Sequence, residues 1–246
     1  SPLVLGLSGS VKHLAESCAF EKLDKQLVIV TPTLLQATQT YEELSEWYDD
    51  EVVHLFPVEE SLAADFSVVS PDVVSQRIRT LDFLSRGEKG IVIVPLSGIQ
   101  KLLVPAAVWK KSSIELAIGS EIESMDAFVE QLVELGYCRE NMVATPGEFA
   151  LRGSIVDIYP LDQEYPLRLD FFDTEVDSIR AFNAETQRSM DVINEVRILP
   201  ATDLPLQKEA VWKAQAKIHA LYEKDVKAAQ SSERKDQVKN IQHHYI

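Results

Sequence analysis

The sequence predicts an α/β chain. A parallel sheet forms the first part, a small α+β domain with an antiparallel sheet the second, and a helical segment the last. Three observations predict it. Continuous β-branched runs alternate with amphipathic stretches early in the chain, the hydrophobic period falls to two after Gly136, and residues 204–246 are rich in Lys, Glu, Ala and Gln with few strand formers. These changes set the expected boundaries at 1–112, 113–199 and 200–246.

Along the first part, residues 3–7 are a short apolar run and 11–21 read as a helix. Residues 26–31 (QLVIVT), 52–56 and 90–95 (GIVIVP) are apolar runs of the kind that fill buried parallel strands. Helical stretches at 34–48 and 71–86 separate them, the second with Pro71 at its first position after Ser70. This β-α-β-α-β rhythm predicts parallel strands covered by helices.

In the second part, residues 122–135 carry Phe128, Leu132 and Leu135 at helical spacing. Ser120 and Glu123 are placed to form a capping box, and Gly136 is a natural stop. Residues 148–151, 154–159, 167–172 and 176–182 then alternate as short antiparallel strands, divided by Arg152-Gly153, 160–166 and 173–175. Residues 204–246 form a polar helix with no second layer of their own, expected to return to the first domain.

Composition narrows the function. The formal net charge is −15. An acidic surface repels phosphate, which argues against a grip on DNA by this chain. The two cysteines, Cys18 and Cys138, form no CxxC pair and read as reduced, buried thiols of a cytoplasmic protein. No apolar run reaches the roughly 18 residues a membrane span needs. The chain opens on Ser-Pro-Leu-Val and closes on His-His-Tyr-Ile within a helical pattern, as a piece of a longer chain would.

Residues 6–13 (GLSGSVKH) stand where a strand-to-helix phosphate loop would. Gly6 and Lys12 fit the pattern G-x-x-x-x-G-K-[ST]. Val11 replaces the glycine that lets backbone approach phosphate, and His13 replaces the hydroxyl that holds Mg²⁺. The loop therefore reads as degenerate and inactive, with no cofactor expected. The competing reading is a nucleotide site of altered chemistry. The histidines show no H-E-x-x-H spacing and there is no G-x-S-x-G elbow. Adjacent acids such as Glu59-Glu60 read as solvated charge, as does the His243-His244 pair at the end of the chain.

The informative stretch is 147–182. It contains Gly147-Glu148-Phe149 with Arg152-Gly153, Asp157-Ile158-Tyr159-Pro160, Arg168-Leu169-Asp170-Phe171-Phe172 and Asp177-Ser178-Ile179-Arg180. Glu185-Thr186-Gln187-Arg188 and Leu199-Pro200-Ala201 follow. This ordered set resembles the small domain shared by the excision-repair protein UvrB and the transcription-repair coupling factors (Mfd), and the likeness extends more diffusely over residues 1–203. The altered loop favours the coupling-factor side of that family. The resemblance implies a non-catalytic module that binds UvrA through Arg152, Arg168 and Phe172. It further implies that RNA polymerase and DNA are met by domains absent from this chain. No long aromatic hairpin of the UvrB kind lies between Ile91 and Lys111. The alternative from the same resemblance is a divergent UvrB-like nucleotide-binding helicase half.

Strand alternation gives the docking reading a physical basis. Leu167, Leu169 and Phe171 share one face of their strand, and Arg168, Asp170 and Phe172 the other. Arg168 and Phe172 then stand roughly 13 Å apart, an aromatic beside arginine on a face that should be polar, as in interface hot spots. Two bland arrangements compete: Phe172 covered by the 122–135 helix or a loop, and Arg152 spent on a surface ion pair with a neighbour such as Glu148. The chain is expected to be monomeric.

Overall fold

The computed structural model describes residues 5–23, 25–58, 70–205 and 208–231. The chain divides into two compact units, the first ending at Pro205 and the second beginning at Leu206. Within the first unit, helix α1 (Ser10–Lys22) leads to strand β1 (Leu27–Thr31). There follow α2 (Leu34–Ser45), β2 (Val53–Leu55), α3 (Pro71–Arg86) and β3 (Ile91–Pro95). The three strands are parallel in the order β1-β3-β2, as the alternating rhythm predicts. The central strand β3 is buried at every position, which explains its unbroken apolar run.

Local chemistry sets the helix ends. The Thr33 hydroxyl caps α2 by accepting from the Gln36 N–H at 3.3 Å. Pro71 opens α3, and Gly87 closes it in the left-handed region at φ 74°. A side chain at Gly90 would strike the Phe83 ring and the Val52 carbonyl oxygen, so close approach requires glycine there.

Short helices α4 (Leu96–Ile99) and α5 (Ala106–Lys110), which the periodicity does not reveal, lead to β4 (Ile114–Ala117). Helix α6 (Met125–Glu134) and strand β5 (Cys138–Arg139) follow. Then come β6 (Glu148–Arg152), β7 (Ile155–Ile158), β8 (Leu167–Phe172), β9 (Glu175–Phe182), β10 (Ser189–Ile193) and β11 (Glu195–Ile198). Strands β5 to β10 form one six-stranded sheet in sequential order, antiparallel except for β5 with β6. Strand β4 pairs with β11, so the two ends of this region lie side by side. The β8–β9 hairpin turns at Asp173, a non-glycine residue at φ 59°.

One face of the large sheet is the core. Phe149, Val156, Ile158, Leu167, Leu169 and Ile179 pack with Phe128 and Leu132 of α6. A second cluster joins Phe56, Ile78 and Trp109 of the parallel-sheet region to Leu161 and Leu199 of the antiparallel one. A hydrogen bond crosses the same seam, from Ser75 Oγ to the Leu161 carbonyl, and within the antiparallel region the Tyr137 hydroxyl donates to the Leu199 carbonyl at 2.7 Å. Burial raises the Tyr137 pKa well above its ordinary value.

Several expectations need correction. The α6 cap is Ser124, whose Oγ accepts from the Ala127 N–H at 3.1 Å; Ser120 is occupied in the turn after β4, where its Oγ accepts from Ala117. Cys18 and Cys138 are free thiols but exposed. Residues 5–8 form no strand before α1, while Leu3 and Val4 lie outside the described residues. The second unit contributes helix α7 (Lys208–Ser231). Of the rest of the expected 204–246 helix, Leu204 and Pro205 are not helical, and residues 206–207 and 232–246, including His243 and His244, lie outside the described residues, as do Glu59 and Glu60. Among the described residues no helix is long and apolar enough to cross a membrane.

Candidate docking face

Because α6 and the core take one face of the large sheet, the outer face is left to Arg152, Asp157, Arg168, Asp170, Phe172 and Arg180. Strand β8 alternates as predicted: Leu167, Leu169 and Phe171 are buried, while Phe172 is 78% exposed. The helix thought able to cover Phe172 lies on the opposite face. Register brings the charged groups into rows, with Asp157 beside Arg168 and Arg168 beside Arg180.

Asp157 is the centre of the cluster and is 1% exposed. Arg168 donates to it from Nε to Oδ1 at 2.7 Å and from Nη2 to Oδ2 at 2.9 Å, a two-pronged contact. Arg152 adds a third bond, Nη2 to Oδ2 at 3.0 Å. The expected partner of Arg152, Glu148, is engaged elsewhere. It accepts from the N–H groups of Ala144 and Thr145 and from the Thr145 hydroxyl. Burial alone would raise the Glu148 pKa; those three donors outweigh it and hold the carboxyl below the usual range. For Arg168, the bonds to Asp157 raise the pKa further, against the opposing effect of burial.

The Arg168 guanidinium also lies over the ring of buried Phe182, 4.6 Å from its centroid. Phe182 packs with Val143 and Ala150 in a small cluster on this outer face. Gln187 reaches the same arginine: its Oε1 accepts from Arg168 Nη2 at 3.4 Å while its Nε2 donates to the Ala184 carbonyl at 2.7 Å. Gln187 sits at φ 58°, unusual for a residue with a side chain. Asp157, Phe182 and Gln187 were not singled out by the sequence reading. The available signal was Asp157 itself, a carboxylate between the apolar residues Val156 and Ile158 inside a strand.

In the other candidate region only His13 is turned inward. Gly6 and Gly9 adopt positive φ, and Gly9 precedes the first turn of α1. Lys12 lies 3.6 Å from Glu16, and Val11 is exposed. His13 is buried, with Nδ1 2.9 Å from Glu16 and Nε2 3.5 Å from Glu43 of α2. These contacts tie α1 to its neighbour and leave His13 no open coordination direction. Among the described residues no group of three or more His, Cys, Asp or Glu is arranged to hold a metal ion.

Comparison with known proteins places this geometry in a class. Residues 114–204 match the model of the UvrB interaction domain, so β4 to β11 form such a domain. The chain is 44% identical to a transcription-repair-coupling factor of Staphylococcus epidermidis over 90% of its length, covering 19% of that relative. It is 38% identical to the Bacillus subtilis transcription-repair-coupling factor over 95% of its length, covering 20% of that protein. A Staphylococcus aureus relative of the same name is 41% identical over 90% of the chain and is covered over 19%. The chain is homologous to the N-terminal region of the transcription-repair-coupling factors. It spans about a fifth of the length of the curated relatives it matches.

Proposed function

We propose that this chain is a non-catalytic docking module that binds UvrA through Arg152, Arg168 and Phe172, bringing nucleotide excision repair to a stalled RNA polymerase. The observation that carries the reading is Phe172, exposed on the sheet face opposite the core and on the same strand as Arg168, which with Arg152 of β6 is held by Asp157. A large aromatic left in water on the same sheet face as guanidinium groups is the composition of an interface hot spot. In this reading polymerase and DNA are met by parts of the longer protein, and the module works as a monomer in the cytoplasm. Residues 1–112 serve as an ATP-inert scaffold with a degenerate phosphate loop, and residues 113–199 carry the docking face.

Titration calorimetry of the chain against purified UvrA tests this. Phe172→Ala should cost about 2 kcal/mol or more of binding free energy, and Arg168→Ala at least about 1 kcal/mol. Wild-type binding that neither substitution weakens would overturn the face. The helicase-half alternative makes its own prediction, a rise in melting temperature with millimolar Mg-ATP. The Lys12–Glu16 contact and the burial of His13 argue against it.

A further inference from the structure

The docking arginines do not stand alone, and how they are held constrains what they can bind. A guanidinium has five N–H donors. Arg168 commits its Nε and Nη2 groups to Asp157 and Gln187, which leaves only the Nη1 pair for a partner. Arg152 commits one donor of Nη2 and keeps its Nε and Nη1 groups open. Its side chain is 48% exposed against 23% for Arg168. The two cations share one carboxylate, so the trio carries one net positive charge. Arg180, next to Arg168 in register and exposed, adds a second and has no ion pair among the described residues.

We propose that Asp157 and Gln187 are positioning residues for partner recognition. On this account they fix the guanidinium planes so that Arg152 offers an open fork to a carboxylate on the partner, while Arg168 serves mainly as its buttress. The inference rests on the docking reading above. Two features are costly unless the arrangement has a use. Asp157 is a carboxylate almost wholly removed from water, and Gln187 holds a positive φ while its amide bridges Arg168 to the turn at Ala184. Long side chains otherwise lose rotamer freedom when they bind, and a held side chain has less to lose.

The proposal separates from simple electrostatics by sign. Asp157→Asn makes the face more positive, so attraction alone predicts tighter binding to an acidic partner. Positioning predicts weaker binding, because an amide cannot accept both prongs of Arg168. The experiment measures affinity for purified UvrA of the wild-type chain and of Asp157→Asn, Gln187→Gly, Arg168→Ala and Phe172→Ala. Alongside it, the arginine Nε–H signals are followed by NMR. Gln187→Gly removes the side chain at a φ that glycine adopts freely.

The expected result is a loss of roughly tenfold or more for Asp157→Asn, in the range of a lost charged hydrogen bond, with loss of the protected Arg168 Nε–H signal. Gln187→Gly should lose about two- to fivefold, consistent with one long bond. Affinity of Asp157→Asn equal to or above wild type, while Phe172→Ala weakens binding, would overturn positioning and leave the docking face standing. Wild-type binding indifferent to Phe172→Ala and Arg168→Ala would overturn the docking reading and this inference with it. Should Asp157→Asn fail to fold, Gln187→Gly decides, and unchanged affinity there overturns the proposal.

Discussion

Two regions of this molecule carry arginine, lysine or histidine in patterns that suggest chemistry, and they treat those residues oppositely. At the start of α1, Lys12 and His13 are turned back onto Glu16 and Glu43. On the outer face of the large sheet, Arg152 and Arg168 are also paired, yet the pairing holds them on the face that exposes Phe172. An acidic partner thus decides nothing by itself. Glu16 helps draw His13 into a helix–helix contact, whereas Asp157 sits beneath its arginines as a buried base that props them outward. The direction in which the backbone presents each residue separates an inward structural pair from the face proposed for docking.

The largest effect should come from the core that supports the outer face. Phe149 is fully buried in the six-stranded sheet, and Phe149→Ala is expected to cost about 3–5 kcal/mol of folding stability by urea denaturation. Phe172, on the opposite face, should behave in the reverse way. Phe172→Ala should leave stability within about 0.5 kcal/mol while costing about 2 kcal/mol or more of UvrA binding. A stability loss comparable to that of Phe149→Ala would mean that Phe172 is a packing residue and would erase the contrast between the faces.

A smaller effect concerns pH. His54 stacks on Phe83 with ring centroids 4.0 Å apart, and burial lowers its pKa, with nearby Arg86 adding to the shift and the Glu51 carbonyl opposing it. The unfolded chain therefore binds this proton more readily than the folded one. Its contribution to stability is present above the unfolded value of about 6.5 and is lost as pH falls through the folded value. Stability measured between pH 7.5 and 5 should show this fall, and His54→Phe should flatten that part of the curve. The smallest effect is expected at the loop. Lys12→Ala should change stability by less than about 0.5 kcal/mol, since the Lys12–Glu16 contact is a surface pair, and should leave UvrA binding unchanged. Weakened UvrA binding in Lys12→Ala would move α1 into the interface.

Much of this is legible from sequence for physical reasons. The β-branched runs at β1 and β3 are both strands, and their alternation with helices predicts the parallel order that is found; only the central β3 is buried throughout, whereas Val28 and Val30 of β1 are exposed, contrary to the expectation of a buried strand there. The two-residue period of β8 places Phe172 outward, because register with its neighbours leaves no other choice. Short elements escape. Strand β4 is four residues long and is a strand only because β11, far along the chain, pairs with it. The Ser124 cap escapes because Ser120 is an equally good candidate until the turn after β4 claims its hydroxyl. The arginine buttress is the least legible part of the site. Arg168 and Asp157 meet across two strands, and Gln187 reaches Arg168 from a turn nineteen residues further on. Local spacing does not encode that convergence; the sheet register creates it.

The most direct test of the outward-facing surface is site-specific photo-crosslinking to UvrA. A benzophenone side chain would replace Phe172 in one sample and Leu14, an exposed apolar residue of α1, in another. The account predicts a covalent adduct from position 172 and none from position 14. Adducts from position 14 with none from position 172 would contradict it and put the interface on the parallel-sheet region instead.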